Sequence, residues 1–132
     1  MRKYVLDTDI CIYWLKGNKN IERKILQAGL ENIWITVITE CELFYGALKS
    51  ERMEQNIINV KELLGRFETL HTQPGTSFFY GEIKSCLEKK GRIIDDADIL
   101  IASITLQNGN TLVTNNAAHF KRIKDLQIEN WS

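Results

Sequence analysis

Several acids and amides of this chain stand where apolar neighbours make them costly. Asp7 interrupts the apolar run Tyr4-Val5-Leu6, and Asp9 follows before apolar residues resume as Ile10-Cys11-Ile12. Glu42 lies inside the apolar stretch Cys41 to Leu48, Asp95, Asp96 and Asp98 precede Ile99-Leu100-Ile101-Ala102, and Asn115-Asn116 follow Thr111-Leu112-Val113-Thr114. All are hard oxygen donors. Gathered in one place, the carboxylates would repel one another and resist ionising. A divalent cation relieves that repulsion, with Mg2+ or Mn2+ the natural occupant of an oxygen-lined site. Such an ion activates water as a nucleophile. Covalent catalysis has no comparable machinery, because no Ser or Cys sits beside a candidate base.

Each group also has a local explanation. Asp9 is placed to cap a helix, Asp95 with Asp98 resembles a capping box, Glu42 alone would pair with a lysine, and Asn115-Asn116 reads as a turn. The elements that carry them decide whether they meet. A strand is expected over Lys3 to Leu6, then helices over Asp9 to Leu15 and Ile21 to Gln27, stopped by Gly17 and Gly29. A strand over Ile33 to Ile35 precedes helices over Thr36 to Ser50 and Glu51 to Leu64. Phe67 to His71 reads as a strand, and Pro74-Gly75 breaks the chain. Helices over Ser77 to Lys90 and Asp95 to Gln107 end at Gly91 and Gly109, and strands follow at Thr111 to Thr114 and Gln127 to Glu129. Such alternation predicts an α/β fold with a mostly parallel sheet between helical layers. Ligands of such sheets bind beyond the carboxyl ends of the strands, where Asp7 and Thr114 to Asn116 fall.

On a helical wheel, Ile38, Cys41, Phe44, Tyr45 and Leu48 share a face expected to be buried. Glu42 lies about 40° beyond Ile38, at its rim, and Glu40 points about 160° away from Glu42, toward solvent. Gly46 leaves room beside Glu42. Apolar residues point every way after Asp98, so that helix is expected to be central.

At 132 residues, with 44% hydrophobic and 26% charged residues, the chain is expected to form one domain over 1–132. No apolar run reaches the roughly 20 residues that span a bilayer, nor does the N-terminus have signal-peptide character. A cytoplasmic location is the expectation. Seventeen bases balance seventeen acids; four acids withdrawn to a cation site would leave 13 against 17, a surface of +4 that permits a polyanion without demanding one. The 3 cysteines, Cys11, Cys41 and Cys86, form no zinc pattern with His71 and His119 and are expected to be buried, reduced thiols.

The segments LDTDICIYWLKG, ITECELFYGALKS, DADILIAS, TLVTNNAAHF and LQIENW together resemble the PIN-domain ribonucleases, most closely the VapC-type toxins of type II toxin–antitoxin pairs. The likeness runs along nearly the whole chain, in order. It implies a PIN-like three-layer α/β/α fold and Mg2+-dependent endonucleolytic cleavage of RNA, tRNA being favoured, with Mn2+ able to substitute. The family's acidic positions fall on Asp7, Glu42, Asp98 and Asn116. By that correspondence Asp7 and Asp98 are the principal metal ligands, Glu42 and Asn116 act through bound water, and Thr8 and Thr114 support them. Asp9 departs from a frequent asparagine, and Asp95-Asp96 from uncharged residues, so Asp96 is expected as an additional ligand.

Lys84, Lys89, Lys90, Arg92, Lys121 and Arg122 are candidate RNA contacts through phosphate. A VapB-type antitoxin is the implied partner, within a homodimer or a toxin–antitoxin hetero-oligomer. Phe78-Phe79-Tyr80 and the helix Ile57 to Leu64 serve such contacts or, more simply, the core. Two rivals are weaker. A phosphatase of haloacid-dehalogenase type would use the first aspartate of LDTD as nucleophile, but its lysine and late acidic motif have no counterpart. A non-catalytic acidic-pocket module usually places a lysine after the last core strand, where this chain has TLVTNN.

Overall fold

In the computed structural model, which describes residues 2–132, the run Tyr4-Val5-Leu6 becomes the central strand of a sheet. The elements in order are β1 (Tyr4–Leu6), α1 (Thr8–Leu15), α2 (Lys19–Ala28), a 3-10 turn (Leu30–Asn32), β2 (Ile33–Thr36), α3 (Val37–Leu48) and α4 (Met53–Leu64). They continue with β3 (Glu68–Leu70), α5 (Thr76–Lys89), α6 (Asp96–Gln107), β4 (Thr111–Val113), α7 (Ala117–Phe120) and β5 (Ile128–Glu129). The strands lie in the order β3-β2-β1-β4-β5, every neighbouring pair parallel.

Val5 stands opposite Trp34 on β2 and Leu112 on β4. From β1 the chain steps outward to β2 and β3 on one side, and to β4 and β5 on the other. The strand order therefore reverses between β1 and β4, and crevices form at the carboxyl ends of strands at such a switch point.

Alternation along β1 separates two cores. Leu6 packs with Ile10, Ile21, Ile25, Leu43, Val60 and Leu63 from α1 to α4. Val5 packs on the opposite face with Ile83, Leu87, Ile99, Ala102 and Phe120 from α5 to α7. Both residues are fully buried, as expected for a parallel sheet covered on both sides. The central helix is α6, where Ile99 and Ile101 to Thr105 are all buried. Among the described residues, no helix is long and apolar enough to cross a membrane.

Several expectations are corrected. The buried stripe of α3 is Thr39, Leu43 and Ala47, whereas Cys41, Tyr45 and Leu48 are exposed. Spacing of four residues places these three in one row against α1 and α4, and their side chains suit a close approach better than Tyr45 would. Glu40 is half-buried rather than free in solvent, and accepts a hydrogen bond from the Thr69 hydroxyl on β3. Only Cys11 is a buried thiol; Cys41 and Cys86 are exposed. Phe78, read as core, is exposed, while Phe79 and Tyr80 are half-buried. The short α7, four residues long, has no counterpart in the sequence reading.

Candidate active site

Beyond the carboxyl end of β1, Asp7 has three structural ties. Its N–H donates to the Val113 carbonyl (2.9 Å), extending the β1–β4 ladder by one step. Its Oδ1 accepts from the Thr8 N–H (2.8 Å), so Asp7, not Asp9, caps α1. Its Oδ2 accepts from the Thr114 hydroxyl (2.7 Å). That hydroxyl in turn accepts from the Asn116 N–H (2.9 Å), fixing the turn after β4 to the strand end beside it. Asp7 is only 5% exposed. Burial first, then the Asp9 charge, push its carboxyl up to about 7, against the opposing hydrogen bonds of Thr114 and Thr8.

Asp9 sits in the first turn of α1. Its Oδ2 accepts from the Asn115 N–H (3.1 Å), and its Oδ1 is buried without any hydrogen-bond partner. Burial is the leading cause that raises this carboxyl above the usual range.

Across the crevice, α3 presents Glu42, whose Oε1 accepts from the Thr8 hydroxyl (2.6 Å). The buried Thr39 hydroxyl lies 3.0 Å from that of Thr8. A hydroxyl has one hydrogen, and Thr8 gives its own to Glu42; Thr39 is therefore the donor, and the chain Thr39 to Thr8 to Glu42 holds the carboxylate.

The N-terminus of α6 brings Asp98. Burial first, then Glu42 and Asp95, push its carboxyl up to about 6, with His119 opposing. The capping box does not form: Asp95 takes the N-cap position, but its side chain makes no capping bond. Asn116 heads α7, and its amide lies 3.0 Å from His119 Nδ1. Asn115 is held by Asn130 (3.2 Å) and Ser132 (2.9 Å) near the end of the chain.

Asp7, Asp9, Glu42 and Asp98 thus act on one another electrostatically, with Asn116 beside them. Asp96 does not join this group. It is exposed, pairs with Lys84 (2.8 Å), accepts from the Tyr80 hydroxyl (2.9 Å), and is held below the usual carboxylate range first by Lys84. Of the six candidate RNA-contacting bases, Lys84 is therefore already engaged.

Two features lay outside the sequence reading. Thr39 becomes visible only once α3 is docked on α1. His119 stands three residues after Asn116, a helical spacing whose significance was hidden by the brevity of α7.

Among the described residues, no three His, Cys, Asp or Glu side chains already close around a point as a metal cage. Mg2+ usually takes one or two carboxylates and keeps several waters, so it requires no such cage. Donor chemistry fits too: every group here is a hard oxygen, and one buried carboxylate oxygen has no partner. For Asp7 as a covalent nucleophile the setting is poor, since both its oxygens accept hydrogen bonds.

A parallel sheet with acids at its switch point is the arrangement of the PIN domain, whose family profile matches residues 4–126; the chain belongs to that family. It is 41% identical over 130 residues to Ribonuclease VapC2 of Rickettsia felis, covering 97% of each chain. With the tRNA(fMet)-specific endonuclease VapC of Shigella flexneri it shares 32% identity over 132 residues, the whole of both chains. Its fold matches a chain in the crystal structure of VapBC2 from Rickettsia felis bound to a DNA fragment from their promoter, with a TM-score of 0.92, 40% identity and 98% of each chain covered.

Proposed function

We propose that this protein is the ribonuclease toxin of a VapBC-type pair, cleaving RNA by divalent-cation-assisted hydrolysis. The observation that carries this reading is the mutual crowding of Asp7, Asp9, Glu42 and Asp98, with Asp7 and Asp98 pushed far above ordinary carboxylate values. Carboxylates so placed ionise readily only when a cation offsets them.

Asp7 and Asp98 would hold the ion, Mg2+ or in its place Mn2+. A bound cation of this kind lowers the pKa of coordinated water and stabilises charge developing on phosphate oxygens. Glu42, held by Thr8, orients and deprotonates the attacking water, and the Asn116 amide donates to a phosphate oxygen. Tethering of Asn115 and Asn116 to Asp9 and Thr114 keeps that amide in register with the acids.

A tRNA substrate is supported by the name of the Shigella relative, and a VapB-type antitoxin by the paired VapBC2 structure. A groove of about 310 Å³ is lined by Ile12, Leu15, Leu43, Gly46 and Val60, with Glu42 and Lys16 as its charged members. Its apolar lining suits an antitoxin peptide that brings apolar side chains, with Glu42 available to an arginine. Two toxin chains in one assembly and a cytoplasmic setting complete the proposal.

The test uses purified protein with isolated tRNA and with total RNA, in Mg2+, Mn2+ or EDTA. Discrete cleavage ends in tRNA are expected with either cation and none in EDTA, and Asp98→Ala is expected to lose cleavage while melting as a folded protein. Cleavage that persists in EDTA or in Asp98→Ala overturns the reading.

A further inference from the structure

We infer that Asp9 is an additional carboxylate of the cation site in this chain, a place that Asp96 does not take. The inference rests on the proposed cation-dependent reading of the same crevice. Its basis is the unequal treatment of the two Asp9 oxygens. Oδ2 is held by the Asn115 N–H at 3.1 Å, which fixes the carboxylate in orientation. Oδ1 is buried and no protein donor meets it in hydrogen-bonding geometry, although the Ile10 and Asn116 N–H groups and the Thr114 hydroxyl lie near enough to favour the charged carboxylate in part. A buried, unpartnered carboxylate oxygen is costly unless a donor or cation meets it.

No basic side chain fills that role. Among the described residues, the ion pairs are Arg2–Glu129, Lys19–Glu22 and Lys84–Asp96, and none includes an acid of the crevice. The charged groups on which Asp9 acts are instead of like sign, Asp7 and Asp98. An orphaned oxygen among further carboxylates calls for a positive ion. Asp9 would meet it through one of the waters that Mg2+ retains, since among the described residues no three carboxylates close around a point.

Neutralising Asp9 without changing its shape separates this role from a structural one. An asparagine keeps an oxygen to accept from the Asn115 N–H, so the turn after β4 survives. In metal-free protein, Asp9→Asn removes one of several crowded charges, and its melting temperature should equal or exceed that of the unsubstituted chain. With cation, the order should invert.

The experiment measures Mn2+ binding by the loss of the free-ion electron paramagnetic resonance signal, and Mg2+ binding by calorimetry. The proteins are the full chain, Asp9→Asn, Asp98→Asn and Asp96→Asn, each first stripped with EDTA, with melting recorded with and without Mn2+. Asp9→Asn is expected to weaken Mn2+ binding by about ten- to a hundredfold and to shrink Mn2+-induced stabilisation, Asp96→Asn changing neither. Wild-type affinity in Asp9→Asn, beside lost affinity in Asp98→Asn, overturns the inference alone. A lower melting temperature of Asp9→Asn in EDTA also overturns it, since Asp9 would then be structural. Absence of Mn2+ binding by the unsubstituted chain overturns both this inference and the cation reading beneath it.

Discussion

Two helices of this protein begin with the same pattern, an aspartate, one other residue and a second aspartate. At α1 these are Asp7 and Asp9; at α6 they are Asp96 and Asp98. In the first pair the leading acid is buried and caps its helix through Oδ1, and the trailing acid is turned onto the Asn115 N–H. In the second pair the leading acid turns outward to Lys84 and Tyr80, and only the trailing acid belongs to the crevice. Position at a helix N-terminus favours carboxylates in both cases. Register and neighbours separate them: the α6 pair sits one position further into its helix, behind the N-cap Asp95, and the residue after β4, Thr114, meets Asp7, whereas α5 offers Asp96 a lysine at the surface. Charge in a motif becomes chemistry only where burial denies it an ordinary partner.

The sharpest way to break the comparison is to neutralise one acid of the α6 pair at a time. Asp98→Asn is expected to lower RNA cleavage by more than about a hundredfold, the upper end for losing even an outer partner of a metal ligand. Asp96→Asn should stay near the unsubstituted rate; equal losses would show the two acids to be equivalent.

Acidity gives the next largest effect. The folded-state pKa of Asp7 lies near 7, above the value of 3.8 expected in the unfolded chain. Between these values the folded state binds more protons, so metal-free stability falls as pH rises from about 4 to about 7. The Asp7 share of that fall is bounded at roughly 4 kcal/mol. Urea unfolding in EDTA across that range should show the slope, and Asp7→Asn should reduce it to the share left by Asp98 and Asp9. An unchanged slope would mean that Asp7 is not the group resisting ionisation.

Removing the Thr114 hydroxyl tests the same burial from the other side. Thr114→Val leaves Asp7 Oδ2 and the Asn116 N–H without their shared partner, and is expected to cost roughly 1–3 kcal/mol in chemical unfolding. The smallest effect belongs to the outward acid: breaking the exposed Lys84–Asp96 pair with Lys84→Met should leave the melting temperature unchanged within error.

Much of the site was legible because its acids interrupt apolar runs, which composition alone cannot hide. Asp7, Asp9, Glu42 and the acids from Asp95 to Asp98 stood out in this way. The likeness to the PIN-domain ribonucleases then selected Asp7, Glu42, Asp98 and Asn116 from among the acids and amides, and the alternation of strands and helices placed them near one edge of a parallel sheet. Of their partners, Thr8 and Thr114 were marked by the family likeness and do hold Glu42 and Asp7, whereas Thr39 was not legible, since it meets Thr8 only when α3 packs on α1. The cap of α1 was read one acid too late, because either Asp7 or Asp9 satisfies the rule for a capping residue. On α3 the wheel followed hydrophobicity and missed the buried row of Thr39, Leu43 and Ala47, which neighbouring helices select by size. Asp96 looked like a ligand because sequence spacing does not reveal Lys84 and Tyr80 on α5.

The triple tie of Asp7 has a practical consequence for genetics. A toxin is handled in cells through inactive alleles, and the obvious choice is its first acid. Yet Asp7 also extends the β1–β4 ladder, caps α1 and anchors Thr114. An allele altered there disturbs the architecture along with any catalysis, so its harmlessness in a growing culture could come from either cause. Position 98, which caps no helix and extends no strand, offers the cleaner silent allele.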